Sequence, residues 1–362
     1  MKIAHIMPNT NHTVLKSYIR FVNEEFDTEK HRIFFFEPKE KVSKLIPRYE
    51  NVSFVEDPDI LDFVREFDCV ILHSSFMMTT ENKLKLVRNP LLMEKVVWVS
   101  WGADLYEWRK WPKKRLKLKA AFRDFAHWRF MKKIRHFAGI FPPDIEYFKD
   151  NINRTAKTCY TPYVGSIYNS YYKNHQEGKS LGEKQRDYDC IHVQIGHQCN
   201  PILNHLKVLE DLRKFKGENI KLFLPLSYGD REWGDRVEKM ASEIYGDKAV
   251  CIREMMDKEE YMKFLANMDI AIFNTERQIG LGNIKPLLYM RKKLYMPEDS
   301  VMYRYFNDQG INICEYHKIK KQEFCDFIEP VDMEKGRSYF QSEYMSTEKK
   351  IEQWNQLFKG DR

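Results

Sequence analysis

The sequence predicts an α/β protein made of two similar units, each a parallel sheet covered by helices on both faces. Two observations lead there: short β-branched or aromatic runs alternate with helical patterns, and the alternation stops at a polar segment and then restarts. A third is size, because 362 residues with 43% hydrophobic content exceed what one core holds, which stops growing near about 250 to 300 residues.

The first unit opens with KIAHIM (2–7) and continues with RIFFFE (32–37), VSFVE (52–56), DCVILH (68–73), KVVWVS (95–100) and FAGIF (137–141). The stretch from Ser166 to Asp187 has almost no apolar periodicity and reads as a linker. The pattern restarts with YDCIHVQIG (188–196), then IKLFLPL (220–226), KAVCIRE (248–254), DIAIFN (269–274), KKLYMP (292–297) and GINICE (310–315). The chain closes on STEKKIEQWNQLF, in which Ser346 or Thr347 can cap a helix and acidic Glu348 suits its first turn. The expected organisation is therefore a first domain over 1–165, a linker over 166–187, a second domain over 188–345, and a helix over 346–362 that packs back on the first domain.

Composition narrows the function classes. No run approaches the roughly 18 to 20 apolar residues of a spanning helix, and the N-terminus opens on a strand, so a protein neither secreted nor integral is expected. Seven scattered cysteines, none in a CxxC pair, suggest neither disulfides nor zinc. The net charge of +7 is modest, and much of the excess falls in one segment rather than in a general nucleic-acid coat.

The loop Arg277-Gln278-Ile279-Gly280-Leu281-Gly282-Asn283 joins the strand DIAIFN to the helical run IKPLLYM. Glycines there let backbone N–H groups approach a phosphate at a helix N-terminus, and Arg277 can add a bidentate contact. A tight turn alone would use the same glycines. Gly196-His197-Gln198 forms the first turn of the second unit, with His205 early in the next helix; Tyr228 ends the following strand and stands near a base or sugar, or serves only loop packing. In the first unit, KVVWVS runs into Trp101-Gly102-Ala103-Asp104-Leu105-Tyr106-Glu107. Asp104 or Glu107 can accept a proton from an attacking hydroxyl, or the pair can form a capping box. His73, at the end of DCVILH, is a second candidate base.

From Trp108 to Arg135, twelve Lys or Arg face one acid, Asp124, with aromatics interleaved. Phe122, Phe125 and Phe130 near helical spacing, broadened by Trp128, form a stripe suited to an anionic membrane surface, with Trp108, Trp111, Lys113, Lys114, Arg115 and Trp128 as contact candidates. Core packing beneath a solvated basic face, or nucleic-acid binding, would use the same composition.

These residues carry a resemblance. WGADLYE (101–107) and RQxGxG (277–282) look like the two most recognisable stretches of the bacterial 4-acetamido-4,6-dideoxygalactose (Fuc4NAc) transferases of enterobacterial common antigen synthesis, glycosyltransferase family 56. Weaker similarities follow in order: His5, Thr13-Val14-Leu15, His73, Gly196 with His205, Pro225 with Tyr228, Glu254 and Trp354. The resemblance implies a GT-B fold, two Rossmann-like domains with parallel sheets facing across a cleft. It also implies inverting, metal-independent transfer from a dTDP-sugar to a polyprenyl-diphosphate-linked saccharide, on the inner face of the bacterial plasma membrane. Donor contacts are then expected at Gly196, His205, Tyr228, Glu254, Arg277, Gln278, Gly280, Gly282 and Asn283, with Asp104 beside the acceptor; no cofactor, metal or nucleic acid is expected. Two other readings stay open: a transferase with a soluble acceptor, and a non-enzymatic anion- or nucleic-acid-binding module, against which the absence of RRM, KH or helix-turn-helix signatures counts.

Overall fold

The computed structural model describes residues 1–8, 13–38, 46, 49–106, 118–163, 190–344 and 346–359. The chain divides into two compact units: Met1–Ser166 together with Ser346–Arg362, and Ile167–Met345. Residues 166–187, expected as a linker, lie outside the described residues.

The first unit holds β1 (Ile3–Met7), β2 (His31–Phe35), β3 (Val52–Phe54), β4 (Cys69–His73), β5 (Val96–Ser100), β6 (His136–Gly139) and β7 (Lys157–Tyr160). They pair in parallel in the order β3-β2-β1-β4-β5-β6-β7. β7 was not among the expected strands. The sheet is buried on both faces, which is why β1, β4 and β5 are buried at every position. One face carries Ala4, Ile6, Val70, Leu72 and Trp98 against Phe63, Val64, Leu86, Phe130 and Phe148. The other carries Ile3, Met7, Ile33, Phe35, Ile71 and Val97 against Leu15, Tyr18 and Val22, together with Trp354, Leu357 and Phe358 of the C-terminal helix Thr347–Lys359.

The second unit holds β8 (Ile191–Ile195), β9 (Ile220–Pro225), β10 (Ala249–Ile252), β11 (Ile270–Ile272), β12 (Lys293–Met296) and β13 (Cys314–Glu315). Their order is β10-β9-β8-β11-β12-β13, again all parallel. Val193, Ile195, Leu222, Leu224, Ile270 and Ile272 bury one face against Val208, Leu209, Leu212, Val237 and Ala241. Asp230 caps the helix Arg231–Tyr245, and Asp257 with Glu260 forms a capping box on Lys258–Ala266.

This is the two-sheet, Rossmann-like α/β architecture that the alternating pattern calls for. Both sheets change direction once. The chain runs β1, β2, β3 to one edge and returns to place β4 beside β1; it runs β8, β9, β10 and returns to place β11 beside β8. Open α/β sheets bind ligands beyond the carboxyl ends of the strands at such a reversal. The two reversals therefore single out the loops after β1 and β4, and after β8 and β11. Among the described residues no helix is long and apolar enough to cross a membrane.

Candidate active site

At the second reversal, β8 ends in Gly196, whose φ of 63° is left-handed and whose N–H donates to the Ile272 carbonyl at 3.0 Å. A Cβ there would sit 2.5 Å from His205 Nε2, so only glycine lets the turn close over this ring. The loop after β11 ends in Gly280, φ 78°, where a Cβ would meet His197 Cε1 at 2.8 Å. Gly280 precedes the helix Leu281–Tyr289, whose N-terminus has no side-chain cap. His197, from the loop after β8, thus packs against Gly280 of the loop after β11, with first-turn amides of a helix beside them.

Several buried polar atoms in this cluster have no hydrogen-bond partner among the described residues: Gln194 Oε1, His197 Nδ1, His205 Nε2 and Gln278 Oε1. Each has its other end held or near charge. Gln194 Nε2 donates to the Gly196 carbonyl at 2.8 Å, and Trp233 Nε1 donates to His205 Nδ1 at 3.2 Å, which leaves Nε2 as the protonated nitrogen of His205. Burial holds the His197 ring down to about 3, helped by His205 and Arg277, and holds His205 at about 4. Both rings are neutral at pH 7 and act as hydrogen-bonding groups rather than cations. Unpartnered buried polar atoms are rare in folded proteins, and four of those among the described residues gather around this glycine turn.

The structure thus gathers Gly196, His205, Arg277, Gln278 and Gly280 at one point, with Gly282 and Asn283 in the first helical turn. Arg277 Nη1 donates to the Gln278 carbonyl at 3.1 Å. Asn283 is buried, and its Oδ1 accepts from the Tyr261 hydroxyl, a structural bond. Tyr228 stands in the neighbouring loop, 43% exposed, its carbonyl accepting from Cys199 N–H at 2.7 Å. Glu254 is exposed beyond the end of β10, the edge strand, away from the reversal. Sequence reasoning quoted His197 without a role and missed Gln194; the signal for the latter was a polar residue inside an apolar strand.

In the first unit the expected base is corrected. Asp104 is wholly buried, and four donors fill both carboxylate oxygens: Ser75 N–H and Trp98 Nε1 on Oδ2, each at 2.8 Å, and Ser100 Oγ and Trp101 N–H on Oδ1, each at 2.9 Å. Its carbonyl meets His127 Nε2 at 2.8 Å. A carboxylate with every face occupied has no room for an acceptor hydroxyl; Asp104 instead ties the ends of β4 and β5 together and fixes Trp101. Nor does it cap a helix, since its bonds run back along the chain. Glu107 lies outside the described residues.

His73, the second expected base, is also fully buried. It is one of three histidines on adjacent strands. His5 pairs in register with Ile33 of β2 and Ile71 of β4, so His31, two residues before Ile33, and His73, two after Ile71, fall on the same face along a diagonal. His31 Nδ1 lies 2.9 Å from His5 Nε2, and His5 Nδ1 lies 3.2 Å from His73 Nε2. His73 Nδ1 bonds the Tyr163 hydroxyl, which also accepts from Trp101 Nε1 at 3.0 Å. Burial depresses all three rings: His73 to about 3, His31 to about 4, and His5 well below its ordinary value, with its two neighbours adding to the effect.

Trp108, Trp111, Lys113, Lys114 and Arg115 lie outside the described residues. The helix Leu118–Lys133 divides the expected aromatic stripe between two faces. Phe130 is buried and Trp128 packs on the core, so Trp128 is not the projecting contact that was expected. Phe122 and Phe125, three residues apart, project instead, 56% and 45% exposed, on a helix that carries Lys119, Arg123, Arg129, Lys132 and Lys133.

A model of the family described as 4-alpha-L-fucosyltransferase, glycosyl transferase group 56, matches residues 2–347. Sucrose-phosphate synthase from Thermosynechococcus elongatus superimposes with a TM-score of 0.68 at 9% identity, over 99% of this chain and 98% of that one. The Anabaena protein HepE in complex with UDP and glucose gives 0.64 at 9% identity, over 99% and 100%. The lipopolysaccharide outer core galactosyltransferase WaaB in its apo form gives 0.65 at 10% identity, over the whole of both chains. At such identities these likenesses establish the fold, that of the GT-B glycosyltransferases.

Proposed function

The chain belongs to glycosyl transferase group 56, and on that premise we propose that it moves a Fuc4NAc-like deoxy-amino sugar from a dTDP-sugar to a polyprenyl-diphosphate-linked saccharide, with inversion, in cell-surface polysaccharide synthesis. Glycosyl transfer follows from membership; the donor, the acceptor and the stereochemistry are the proposal.

The observation that carries it is the cluster at the β8/β11 reversal, where two left-handed glycines, an uncapped helix N-terminus and four unpartnered buried polar atoms adjoin. In this reading the donor diphosphate lies on the amides of Leu281 and Gly282, with Arg277 taking a non-bridging oxygen, and His197 and Gln278 bond the nucleotide or sugar hydroxyls. As the anomeric C–O bond breaks, the growing negative charge on the diphosphate meets fixed amide dipoles and a guanidinium, which need not reorganise. The acceptor is received at the carboxyl ends of β1 and β4. Exposed Phe122 and Phe125 on a basic helix support a lipid-borne acceptor, since aromatic insertion and attraction to anionic headgroups favour the same surface. In this reading the enzyme works at the inner face of the plasma membrane.

A thermal-shift panel of dTDP, UDP, GDP and their sugars tests the donor. Stabilisation by dTDP above the others, lost in Arg277→Ala, is expected; preference for another base refutes the donor assignment, and undiminished binding and turnover in Arg277→Ala removes that residue from the site.

A further inference from the structure

Glycosyl transfer replaces the acceptor O–H by an O–C bond, so one proton must leave the reacting oxygen. Asp104 has both carboxylate oxygens filled by donors, and His73 Nδ1 bonds the Tyr163 hydroxyl. We infer that Tyr163, His73, His5 and His31 form a proton relay, taking the acceptor proton at the carboxyl-end rim of the first sheet and releasing it to water beside Asp27 and Lys30. The relay rests on the acceptor being received at that rim.

The chain of contacts is continuous. Trp101 and Tyr163 follow the ends of β5 and β7 and are only partly buried, which sets the pair beyond the carboxyl ends of the sheet. Trp101 Nε1 donates to the Tyr163 oxygen, freeing the phenol's own proton for His73 Nδ1. Each imidazole then has one nitrogen toward the preceding group and the other toward the next, through contacts of 3.2 Å and 2.9 Å. At the far end His31 keeps 4% of its surface in water, next to the exposed Asp27–Lys30 ion pair. The groups packed around the middle are uncharged: Tyr18, whose hydroxyl is 3.2 Å from His5 Nδ1, and Trp354 and Phe358 of the C-terminal helix. That helix roofs the string.

The step balances. The acceptor oxygen uses an electron pair to bond the anomeric carbon while the C–O bond to the diphosphate breaks, its pair leaving with the diphosphate. The acceptor proton passes to Tyr163 oxygen as the Tyr163 proton passes to His73 Nδ1; His73 Nε2–H passes to His5 Nδ1, His5 Nε2–H to His31 Nδ1, and His31 Nε2–H to water. No ring need hold a net charge, in keeping with a site whose burial keeps all three neutral. When product leaves and water reaches the rim, the string runs in reverse and resets.

The test is single-turnover transfer by the full chain from dTDP-Fuc4NAc to a polyprenyl-diphosphate-linked saccharide. His5→Gln, whose amide bonds both neighbours but passes no proton, and His31→Ala should each slow transfer about 100-fold or more with the donor KM unchanged. Added imidazole should restore much of the His31→Ala rate, which no merely structural role would allow. Wild-type rates in both variants overturn the relay, as does a loss in His31→Ala that imidazole leaves untouched. If the wild type fails to use these probes, the substrate assignment falls. The relay is then decided by ¹⁵N spectra of histidine-labelled protein at pH 7: three neutral rings protonated on the same nitrogen support it, and a charged ring or mixed tautomers overturn it.

Discussion

Asp104→Asn separates a catalytic base from a structural knot. In the best orientation the amide oxygen replaces Oδ2 and still accepts from Ser75 N–H and Trp98 Nε1, but as a neutral acceptor. The amide NH₂ then faces Ser100 Oγ, which can turn to accept, and Trp101 N–H, which cannot. Two charge-assisted bonds weakened by about 1 kcal/mol each, plus one stranded donor at about 1 to 3 kcal/mol, give a loss of about 3 kcal/mol or more. Urea unfolding of wild type and variant should show that loss, while the folded variant still transfers sugar within about tenfold of wild type. A general base contributes about 100-fold to 10,000-fold. Wild-type stability together with a rate loss of that size would refute the structural role and restore Asp104 as base.

Gly280→Ala forces an L-residue to φ 78° with its Cβ 2.8 Å from His197 Cε1, so a stability loss of about 1 to 2 kcal/mol and a roughly tenfold weaker nucleotide affinity are expected by calorimetry. Acid sensitivity follows from His5, His31 and His73, whose folded values lie below the ordinary one of about 6.5. The unfolded chain binds these protons first, so their contribution is whole above about pH 6.5 and is lost as pH falls toward their folded values. For His31 and His73, held at about 4 and about 3, that is about 1.3 kcal/mol each between pH 7.5 and 5.5, readable as a lower urea midpoint. Replacing Phe122 and Phe125 together by Ser should leave stability within about 0.5 kcal/mol but reduce sedimentation with phosphatidylglycerol vesicles; unchanged sedimentation contradicts membrane docking there.

Much of the fold was legible because strands buried on both faces read as apolar runs, as in IAHIM, CVILH and VVWVS. β7 escaped because KTCY is four residues long with an exposed first position and no apolar run. The loop 277–283 was legible as a glycine turn between a strand and a helix, and Gly280 is indeed left-handed just before the helix Leu281–Tyr289. Asp104 was misread because local spacing offers only a cap or a base, whereas its partners Ser75 and Trp98 arrive through strand pairing. The histidine diagonal was hidden for the same reason: three residues separated by 26 and 42 positions are aligned only by register. What sequence did carry was a histidine within the first apolar run, one just before the second and one closing the run DCVILH.

The most direct test is a crystal structure with dTDP bound. Diphosphate oxygens are expected within about 3 Å of the Leu281 and Gly282 amides and of the Arg277 guanidinium. A nucleotide seated elsewhere, touching none of these groups, would contradict it.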